Sequence, residues 1–197
     1  MTTHQAVTAE LDPEVRQRFA ERAQAEGLVD VAVTTMDSPV GVLLLAATRR
    51  GLVEIAFTRG GTDAALDELA RKLSPRILES PGRLDGVRRQ LDEYFIGHRI
   101  DFDLPLDRAL MGPFARRVLG RTECIPYGSV STYAEVARRI GAPRAARAVG
   151  NALAANPIPL IVPCHRVVRT GGALGGYGGG LDRKEWLLEL ESTHSAS

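Results

Sequence analysis

Three short apolar segments near the start of the chain constrain its fold most strongly. Residues 31–36, 42–47 and 52–57 are rich in valine, leucine, isoleucine and alanine, and each has the length of an ordinary β-strand. The links between them are short and contain glycine, and the first also contains proline, which is typical of turns. Links this tight favour pairing of neighbouring segments in opposite directions. The pattern therefore predicts a small antiparallel sheet that begins with a hairpin.

Helical patterns surround this sheet. A first helix is predicted from Asp12-Pro13, a capping residue followed by proline at the first helical position, to a stop at Gly27. Its narrow apolar stripe consists of Val15, Phe19 and Ala23. Two more helices are predicted over residues 62–73 and 84–96. Because this half of the chain contains no clustered histidine, cysteine or carboxylate pattern, we assign it no catalytic residue.

The charge balance changes near residues 105–107, which we interpret as a domain junction. Residues 1–106 carry 13 Lys+Arg and 17 Asp+Glu, whereas residues 107–197 carry 12 and 7. We therefore predict a leader with a short helix over residues 1–28, an N-terminal α/β domain over 29–106 and a C-terminal domain over 107–197. The fold class is α/β of the α+β type: a small antiparallel-sheet domain with helices, then a mostly helical domain.

The composition excludes several classes of protein. No apolar run approaches the ~20 residues that span a bilayer, and the N-terminus lacks the basic start and apolar core of a signal peptide. The two cysteines, Cys124 and Cys164, provide neither a disulfide framework nor a four-cysteine zinc site. We therefore expect a cytoplasmic, reducing setting, no membrane partner and no cofactor.

The second half combines a basic segment with two short predicted helices. No acidic residue occurs between Val136 and Leu181. Six arginines lie there: Arg138, Arg139, Arg144, Arg147, Arg166 and Arg169. One helix is capped by Ser131 or Thr132, and the next, over residues 144–155, is rich in alanine and glycine with Arg147 near its start. This helix-turn-helix pattern favours a phosphate-rich partner such as DNA, although small residues also favour tight helix packing alone.

The segment Pro163–Arg166 carries the strongest chemical signal. A thiol beside an imidazole, at the end of an apolar run predicted to be an extended buried strand, is a candidate activated nucleophile. An isolated buried cysteine also fits a simple core residue. Side chains of Cys164 and His165 on an extended segment would point to opposite faces, so proton transfer would need a turn or a bridging water. A carboxylate that orients His165 has four candidates in the last helix: Asp182, Glu185, Glu189 and Glu191.

The glycine-rich residues 171–180 do not fit a phosphate-binding loop, because no Lys-Ser/Thr pair and no strand–loop–helix context accompany them. We interpret them as a flexible wall that holds Tyr177 beside a pocket. The last helix is predicted from Asp182 to about Ser192. It is predicted to bury four side chains: Trp186, Leu187, Leu188 and Leu190.

Taken together, residues of about 112–191 closely resemble the methylated-DNA–protein-cysteine methyltransferases, also called alkylguanine-DNA alkyltransferases. The first half resembles the variable N-terminal domain of that family only in outline. The resemblance depends on several motifs in the right order and at compatible spacing: Ile125-Pro126-Tyr127-Gly128, Ser131-Thr132-Tyr133, Arg147-Ala148-Val149-Gly150, Asn156-Pro157, Ile161-Val162-Pro163-Cys164-His165-Arg166-Val167-Val168, Gly176-Tyr177 and Lys184-Glu185-Trp186-Leu187-Leu188.

This resemblance implies a specific reaction. The thiolate of Cys164 takes an alkyl group from O6 of guanine, or from O4 of thymine, in one displacement. The thioether product is stable, so the protein is consumed. His165 acts on Cys164 through a water, and Glu191 orients His165. The implied partner is double-stranded DNA containing O6-alkylguanine, and the protein acts as a monomer.

The resemblance also implies how the base is reached. Tyr133 crowds the backbone phosphate, helps to rotate the nucleotide out and donates to the base. Arg147 fills the gap that the base leaves, on a helix that lies in the minor groove. Asn156 fixes the turn that bears the nucleophile, and Tyr177 lines the base pocket. A wedge side chain on a helix of small residues suits base flipping.

Two departures from the family pattern affect these implications. Gly178 stands where some relatives carry serine, which removes a side-chain donor and widens the pocket. Some relatives bind zinc through cysteines of the N-terminal domain; this chain has none there, so we predict no metal. Cys124 has no counterpart role and is predicted to be structural. The alternatives to alkyl transfer are a lesion-binding protein without chemistry, against which the presence of Cys164 argues, and a thiol hydrolase, which the acid-free surroundings do not favour.

Overall fold

The computed structural model describes residues 12–58 and 61–194. Four strands form the sheet of the N-terminal part: β1 (Val31–Met36), β2 (Leu43–Thr48), β3 (Gly51–Phe57) and β4 (Ile77–Glu79). Their order is β3-β2-β1-β4, and β1 to β3 pair antiparallel as predicted. β4 pairs with β1 in parallel, so the sheet is mixed rather than purely antiparallel. Three residues are too few for periodicity to mark a strand, and β4 was therefore missed.

Two helices cover opposite faces of this sheet: α2 (Asp63–Lys72) and α3 (Pro81–Phe95). α3 begins three residues before the predicted Leu84, because proline is favoured at the first helical position. Alternate residues of β2 belong to two apolar clusters, one with Leu91 of α3 and one with Leu69 of α2. A strand that is buried on both faces is apolar throughout, which explains the unbroken apolar run of β2.

The helix that precedes the sheet, α1 (Pro13–Ala25), has the predicted bounds, but most of its apolar stripe does not face the core. Val15 and Phe19 are 49% and 59% exposed, whereas Ala20 and Ala23 are buried. A spacing of four residues identifies one side of a helix without showing that this side faces the core. The alanine side of α1 is the side that packs.

Helices dominate the C-terminal part: α4 (Pro113–Thr122), α5 (Tyr133–Arg139), α6 (Ala146–Ala154) and α7 (Leu181–His194). α5 and α6 pack on each other and on α4, which confirms the helix-turn-helix. Thr132 caps α5: its hydroxyl accepts the Glu135 N–H at 3.1 Å. Ser131 and Thr132 also form a two-residue strand, β5, parallel to β6 (Val167–Val168). Within the described residues, no helix is long and apolar enough to cross a membrane.

The two parts share one apolar core, which contains Leu91 of α3, Val149 of α6 and Leu187 of α7. They are also joined through the backbone, because the N–H of Ile55 in β3 donates to the Pro157 carbonyl at 2.8 Å. β3 therefore lies directly against the loop that follows α6.

α7 differs from its prediction in which residues it buries. Its buried residues are Lys184, Leu187 and Glu191, whereas Trp186, Leu188 and Leu190 are half-buried. A buried helix face with a lysine at one end and a glutamate at the other is not recognisable from hydropathy. Both charged side chains have partners inside the protein.

Candidate active site

The candidate nucleophile follows a tight loop rather than an extended strand. Leu160 has a φ of 74°, in the left-handed region that costs a leucine on the order of 1 kcal/mol. Asn156 closes the loop, since its Oδ1 accepts the Ile158 N–H at 3.1 Å and its Nδ2 donates to the Val162 carbonyl at 2.9 Å. Cys164–Arg166 then form one turn of 3-10 helix. The prediction of an extended strand was wrong because side-chain bonds of Asn156 bend the chain.

Asn156 also contacts the nucleophile: its Nδ2 donates to Cys164 Sγ at 3.1 Å. Cys164 is only 5% exposed. Burial raises the pKa of its thiol to about 11, although the bond from Asn156 and the charge of Lys184 act in the opposite direction. At neutral pH roughly one molecule in 10⁴ therefore carries the thiolate. A thiol in this setting reacts only if a neighbouring base removes its proton.

The imidazole next along the chain is that of His165, which is fully buried. Its Nε2 lies 2.9 Å from Glu191 Oε1. A carboxylate only accepts, so Nε2 carries the proton and Nδ1 has the free lone pair. Nδ1 is buried and has no hydrogen-bond partner among the described residues. Burial lowers the pKa of His165, against the opposing effect of Glu191, so the ring is neutral and able to accept a proton.

Glu191 is the carboxylate that contacts His165. The other three candidates, Asp182, Glu185 and Glu189, are exposed on α7. Glu191 also accepts the hydroxyl of Tyr94 at 2.7 Å and the N–H of Gly128 at 3.2 Å. Which of the four carboxylates meets the histidine depends on the rotation of α7, and spacing alone could not settle it.

Arg166 holds Glu191 ionised. Its Nε and Nη2 donate to the two carboxylate oxygens at 2.8 and 2.9 Å, and its Nη1 donates to the Ile125 carbonyl at 2.6 Å. Burial opposes ionisation of Glu191, but the bonds from His165 and Arg166 outweigh it and lower the pKa to about 2. Arg166 is therefore part of the buried site and not of the basic surface to which its sequence position assigned it.

Two further residues of the site were not found from the sequence. Tyr94, on α3, brings the N-terminal part into contact with Glu191. Lys184 is fully buried, and its Nζ donates to the carbonyls of Val167 at 2.6 Å, Gly176 at 3.4 Å and Leu174. Burial lowers the pKa of Lys184 to about 8, opposed by the Cys164 thiol when it is ionised. Lys184 stands in the sequence as the first residue of a family motif to which no role was assigned, and its spacing with Leu187 and Glu191 places the three on one face of a helix.

A pocket of about 160 Å³ opens above Cys164. Ile55 and Phe57 of β3 contribute to it from the N-terminal part. The remaining lining residues come from α6, from the loop that follows it and from the glycine-rich segment: Leu153, Ala154, Asn156, Pro159, Cys164, Tyr177, Gly178 and Gly179. Tyr177 stands edge-on to Phe57 and to His165, with ring centroids 6.0 and 6.4 Å apart. Its buried hydroxyl has no partner within the described part of the chain.

Tyr133, at the start of α5, closes the other side of the glycine-rich segment. Its hydroxyl donates to the Gly176 carbonyl at 3.2 Å. Gly175 has a φ of 70°, and a Cβ there would lie 2.7 Å from the Tyr133 oxygen. Only glycine therefore allows the segment to pass so close to Tyr133.

The helix-turn-helix presents Arg147 to solvent, while Val149 of the same helix is buried. Arg144 and Arg169 are exposed as well. Arg138 and Arg139 differ, because both form ion pairs with Glu135. Of the six arginines in this segment, Arg166 is buried and two pair with Glu135, so Arg144, Arg147 and Arg169 supply most of the uncompensated exposed positive charge.

Three remaining predictions concern Gly178, Cys124 and metals. Gly178 is exposed at the pocket rim, and a Cβ there would lie 3.2 Å from the Ala154 carbonyl. Cys124 is exposed just beyond α4, so it is not part of the core, and its structural role stays a prediction. Among the described residues, no group of three or more histidine, cysteine or acidic side chains is placed to hold a metal ion.

A buried cysteine, histidine and glutamate lie under a small pocket, next to a helix-turn-helix. Two family models match the chain: the DNA binding domain of 6-O-methylguanine DNA methyltransferase over residues 113–193 and its ribonuclease-like domain over residues 31–108.

Known proteins agree with these family models over most of the chain. The methylated-DNA–protein-cysteine methyltransferase of Mycolicibacterium paratuberculosis is 44% identical over 82% of this chain and 92% of its own length. The solved Mycobacterium tuberculosis O6-methylguanine methyltransferase superposes with a TM-score of 0.73 at 42% identity, over 83% of this chain and 94% of that one. A structure of Mycobacterium tuberculosis OGT in complex with DNA gives 0.72 at 41% identity, with the same coverage. The chain therefore belongs to the family of methylated-DNA–protein-cysteine methyltransferases.

Proposed function

We propose that this protein repairs alkylated DNA by moving one methyl or short alkyl group from O6 of guanine, or from O4 of thymine, to Sγ of Cys164. The observation that carries the proposal is the position of the thiol, at the foot of a pocket and next to the buried pair of His165 and Glu191. Membership of the family and the DNA complex of a relative support duplex DNA as the partner.

The proton of the thiol is removed by His165. Because Nε2 donates to Glu191, the lone pair of Nδ1 is the acceptor, and one water links it to Cys164. The negative charge of Glu191 stabilises the imidazolium that forms, as in other histidine–carboxylate pairs. Asn156 donates to the sulfur and stabilises the thiolate. This relay overcomes the raised pKa of the thiol without leaving a charged cysteine in the resting protein.

The transfer itself is a single displacement. The thiolate attacks the alkyl carbon, an S–C bond forms, and the C–O6 bond breaks with its electron pair going to the guanine. The departing guanine takes a proton from the Tyr133 hydroxyl, which regains one from solvent, while the His165 imidazolium releases to solvent the proton that it took from the thiol. The product is a thioether on Cys164 and an unmodified guanine. A thioether is a poor leaving group, so each chain acts once.

The base reaches the thiol by leaving the duplex. A stacked base presents O6 in the major groove and cannot enter a pocket of about 160 Å³ that is closed by protein on several sides. Arg147 is exposed on a helix whose other residues are mostly small, and it fills the gap in the base stack from the minor groove. Tyr133 turns the phosphate and Tyr177 lines the pocket that receives the base.

We also propose that one chain acts on one lesion as a monomer and that the chain divides near residue 107. Near this boundary the Leu52 N–H donates to the Pro105 carbonyl, and the Asp107 N–H donates to the Leu52 carbonyl. These hydrogen bonds and the shared apolar core support two domains that form one rigid unit.

The experiment that tests the proposal is intact-mass measurement and peptide mapping after incubation with a duplex bearing O6-methylguanine. We expect a gain of one methyl group on the peptide that contains Cys164, and none after Cys164→Ala. The matched control is Cys124→Ser, which removes the other, exposed cysteine and leaves the gain unchanged. Lesion binding without any gain in mass would show a sensor without chemistry and overturn the proposal.

A further inference from the structure

The N-terminal sheet contributes two side chains to the pocket of the reactive cysteine, although the sequence of that half shows no chemical motif. Ile55 and Phe57 lie two residues apart on β3, so both point to the same face of the strand. Ile55 is 2% exposed, and its N–H donates to the Pro157 carbonyl at 2.8 Å, in the loop that carries Cys164. The end of β3 is thereby fixed against the nucleophile loop.

Phe57 is fixed by contacts on several sides. Its ring meets Tyr177 edge-on at 6.0 Å between centroids, and the guanidinium of Arg183 lies 5.2 Å from the ring centroid. Arg183 in turn donates through Nη1 to the Gly179 carbonyl at 2.6 Å and through Nε to the Val40 carbonyl. A Cβ on Gly179 would lie 2.8 Å from Phe57 Cε2. The ring therefore cannot move away without displacing the glycine-rich wall or the Arg183 bonds.

We propose that Phe57, supported by Ile55, sets the upper size of the alkyl group that the pocket accepts. The proposal rests on the proposed function, because it names which O6-alkylguanines the same site repairs. A rigid wall formed by Phe57 beside Tyr177 favours transfer of a methyl group and slows transfer of bulkier substituents such as benzyl. The specificity of the site is then determined in part by the sheet, whereas its chemistry belongs to the helical part.

The test compares single-turnover rates on two duplexes of the same sequence, one with O6-methylguanine and one with O6-benzylguanine. Using one duplex context cancels differences in DNA binding. In hydrophobic pockets a change of about one methylene alters rates by about tenfold or more. Phe57→Leu should therefore raise the ratio of benzyl to methyl transfer by about tenfold, and Phe57→Ala should raise it further. Phe114→Leu, which shortens a half-buried phenylalanine of α4 outside the pocket, should leave the ratio unchanged.

Ile55→Val keeps the test informative if the larger truncations do not fold, since it removes one methylene and should raise the ratio in the same direction by a smaller factor. A ratio that stays constant or falls in folded Phe57 variants would overturn the inference while leaving alkyl transfer intact. Failure of the unsubstituted protein to transfer either group would instead overturn the proposed function, so the two failures are distinguishable. Thermal unfolding of each variant shows whether it is folded.

Discussion

Two carboxylates, one in each part of the molecule, have pKa values shifted in opposite directions. Glu54 lies on β3 of the sheet, where burial and the neighbouring Glu68 raise its pKa to about 7, and its Oε2 has no partner among the described residues. Glu191 lies on α7, where donors from His165 and Arg166 lower the pKa to about 2. The sheet thus tolerates a poorly solvated acid, whereas the helical part maintains a buried negative charge.

The difference between Glu54 and Glu191 reflects how many hydrogen-bond donors surround each carboxylate. A buried charge is expensive unless it is paired and hydrogen-bonded, so it persists where several groups are arranged around it. Around Glu191 these groups come from α3, from the Tyr127–Gly128 turn and from the 3-10 turn at the nucleophile. The N-terminal part reaches the site through Tyr94 of α3, which contacts Glu191, and through the apolar end of β3, which lines the pocket.

The largest predicted effect is that of replacing Glu191, rather than Glu54, by its amide. Glu191→Gln removes the charge that pairs with buried Arg166, and we expect the free energy of unfolding to fall by about 3–5 kcal/mol. Alkyl transfer should also slow strongly, because His165 loses its orienting charge. Glu54→Gln is the matched control and should leave both quantities almost unchanged or improve stability at neutral pH. Denaturant unfolding and single-turnover rates measure both; equal losses in the two variants would contradict the distinction.

The opposite pKa shifts of Glu54 and Glu191 predict that the two residues change the free energy of unfolding with pH in opposite directions. The lowered pKa of Glu191 means that its stabilising effect is complete above its ordinary value of 4.5 and is lost as the pH falls toward about 2. This loss amounts to about 3 kcal/mol. The raised pKa of Glu54 means that its protonated form fits the fold at low pH and that stability declines as the pH rises through about 7. Unfolding curves between pH 2 and 8, repeated on each amide variant, assign the two components; an acid loss that survives in Glu191→Gln would contradict the assignment.

A smaller effect is predicted where the N-terminal part meets the site. Tyr94→Phe removes the hydroxyl that donates to Glu191 and should cost about 1–2 kcal/mol of stability. Alkyl transfer should slow as well, since one of the groups around Glu191 is lost. Tyr127→Phe is the matched control, because its hydroxyl is buried without a partner among the described residues. No difference between the two variants would show that the Tyr94 bond does not support the site.

The last comparison concerns the exposed surface. Arg147→Ala should slow repair of duplex DNA by about tenfold, equivalent to about 1.4 kcal/mol of barrier. It should leave the reaction with the free base O6-benzylguanine unchanged, because a free base needs no flipping. Arg144→Ala, a neighbouring exposed arginine, should have a smaller effect on the duplex. An equal loss on both substrates in Arg147→Ala would mean that this residue supports the fold.

Local patterns determined what could be predicted from the sequence. The strands β1 to β3, a cap at Ser131 or Thr132 and the pair of short helices depend on neighbouring residues and were predicted; the structure assigns the cap to Thr132. The resemblance to the family also predicted residues of the site, since Cys164 and His165 belong to a family motif and Glu191 follows another one closely. β4 was missed because three residues carry no periodicity.

Contacts between distant residues could not be predicted in the same way. Tyr94 meets Glu191 across 97 positions of the chain, and no pattern near either residue indicates the contact. Arg166 was assigned to the surface because a charged residue in a basic segment is usually exposed, whereas its partner Glu191 draws it inside. The left-handed Leu160 follows from bonds of Asn156 that propensity does not describe.

In the proposed reaction one thiol, Cys164, accepts one alkyl group, and the chain is then consumed. The most direct measurement is the number of methyl groups transferred per chain with O6-methylguanine duplex in large excess, followed by intact mass over time. We expect a plateau at one equivalent, with the whole gain on Cys164. A plateau above one equivalent, continued turnover, or a gain that persists after Cys164→Ala would contradict it.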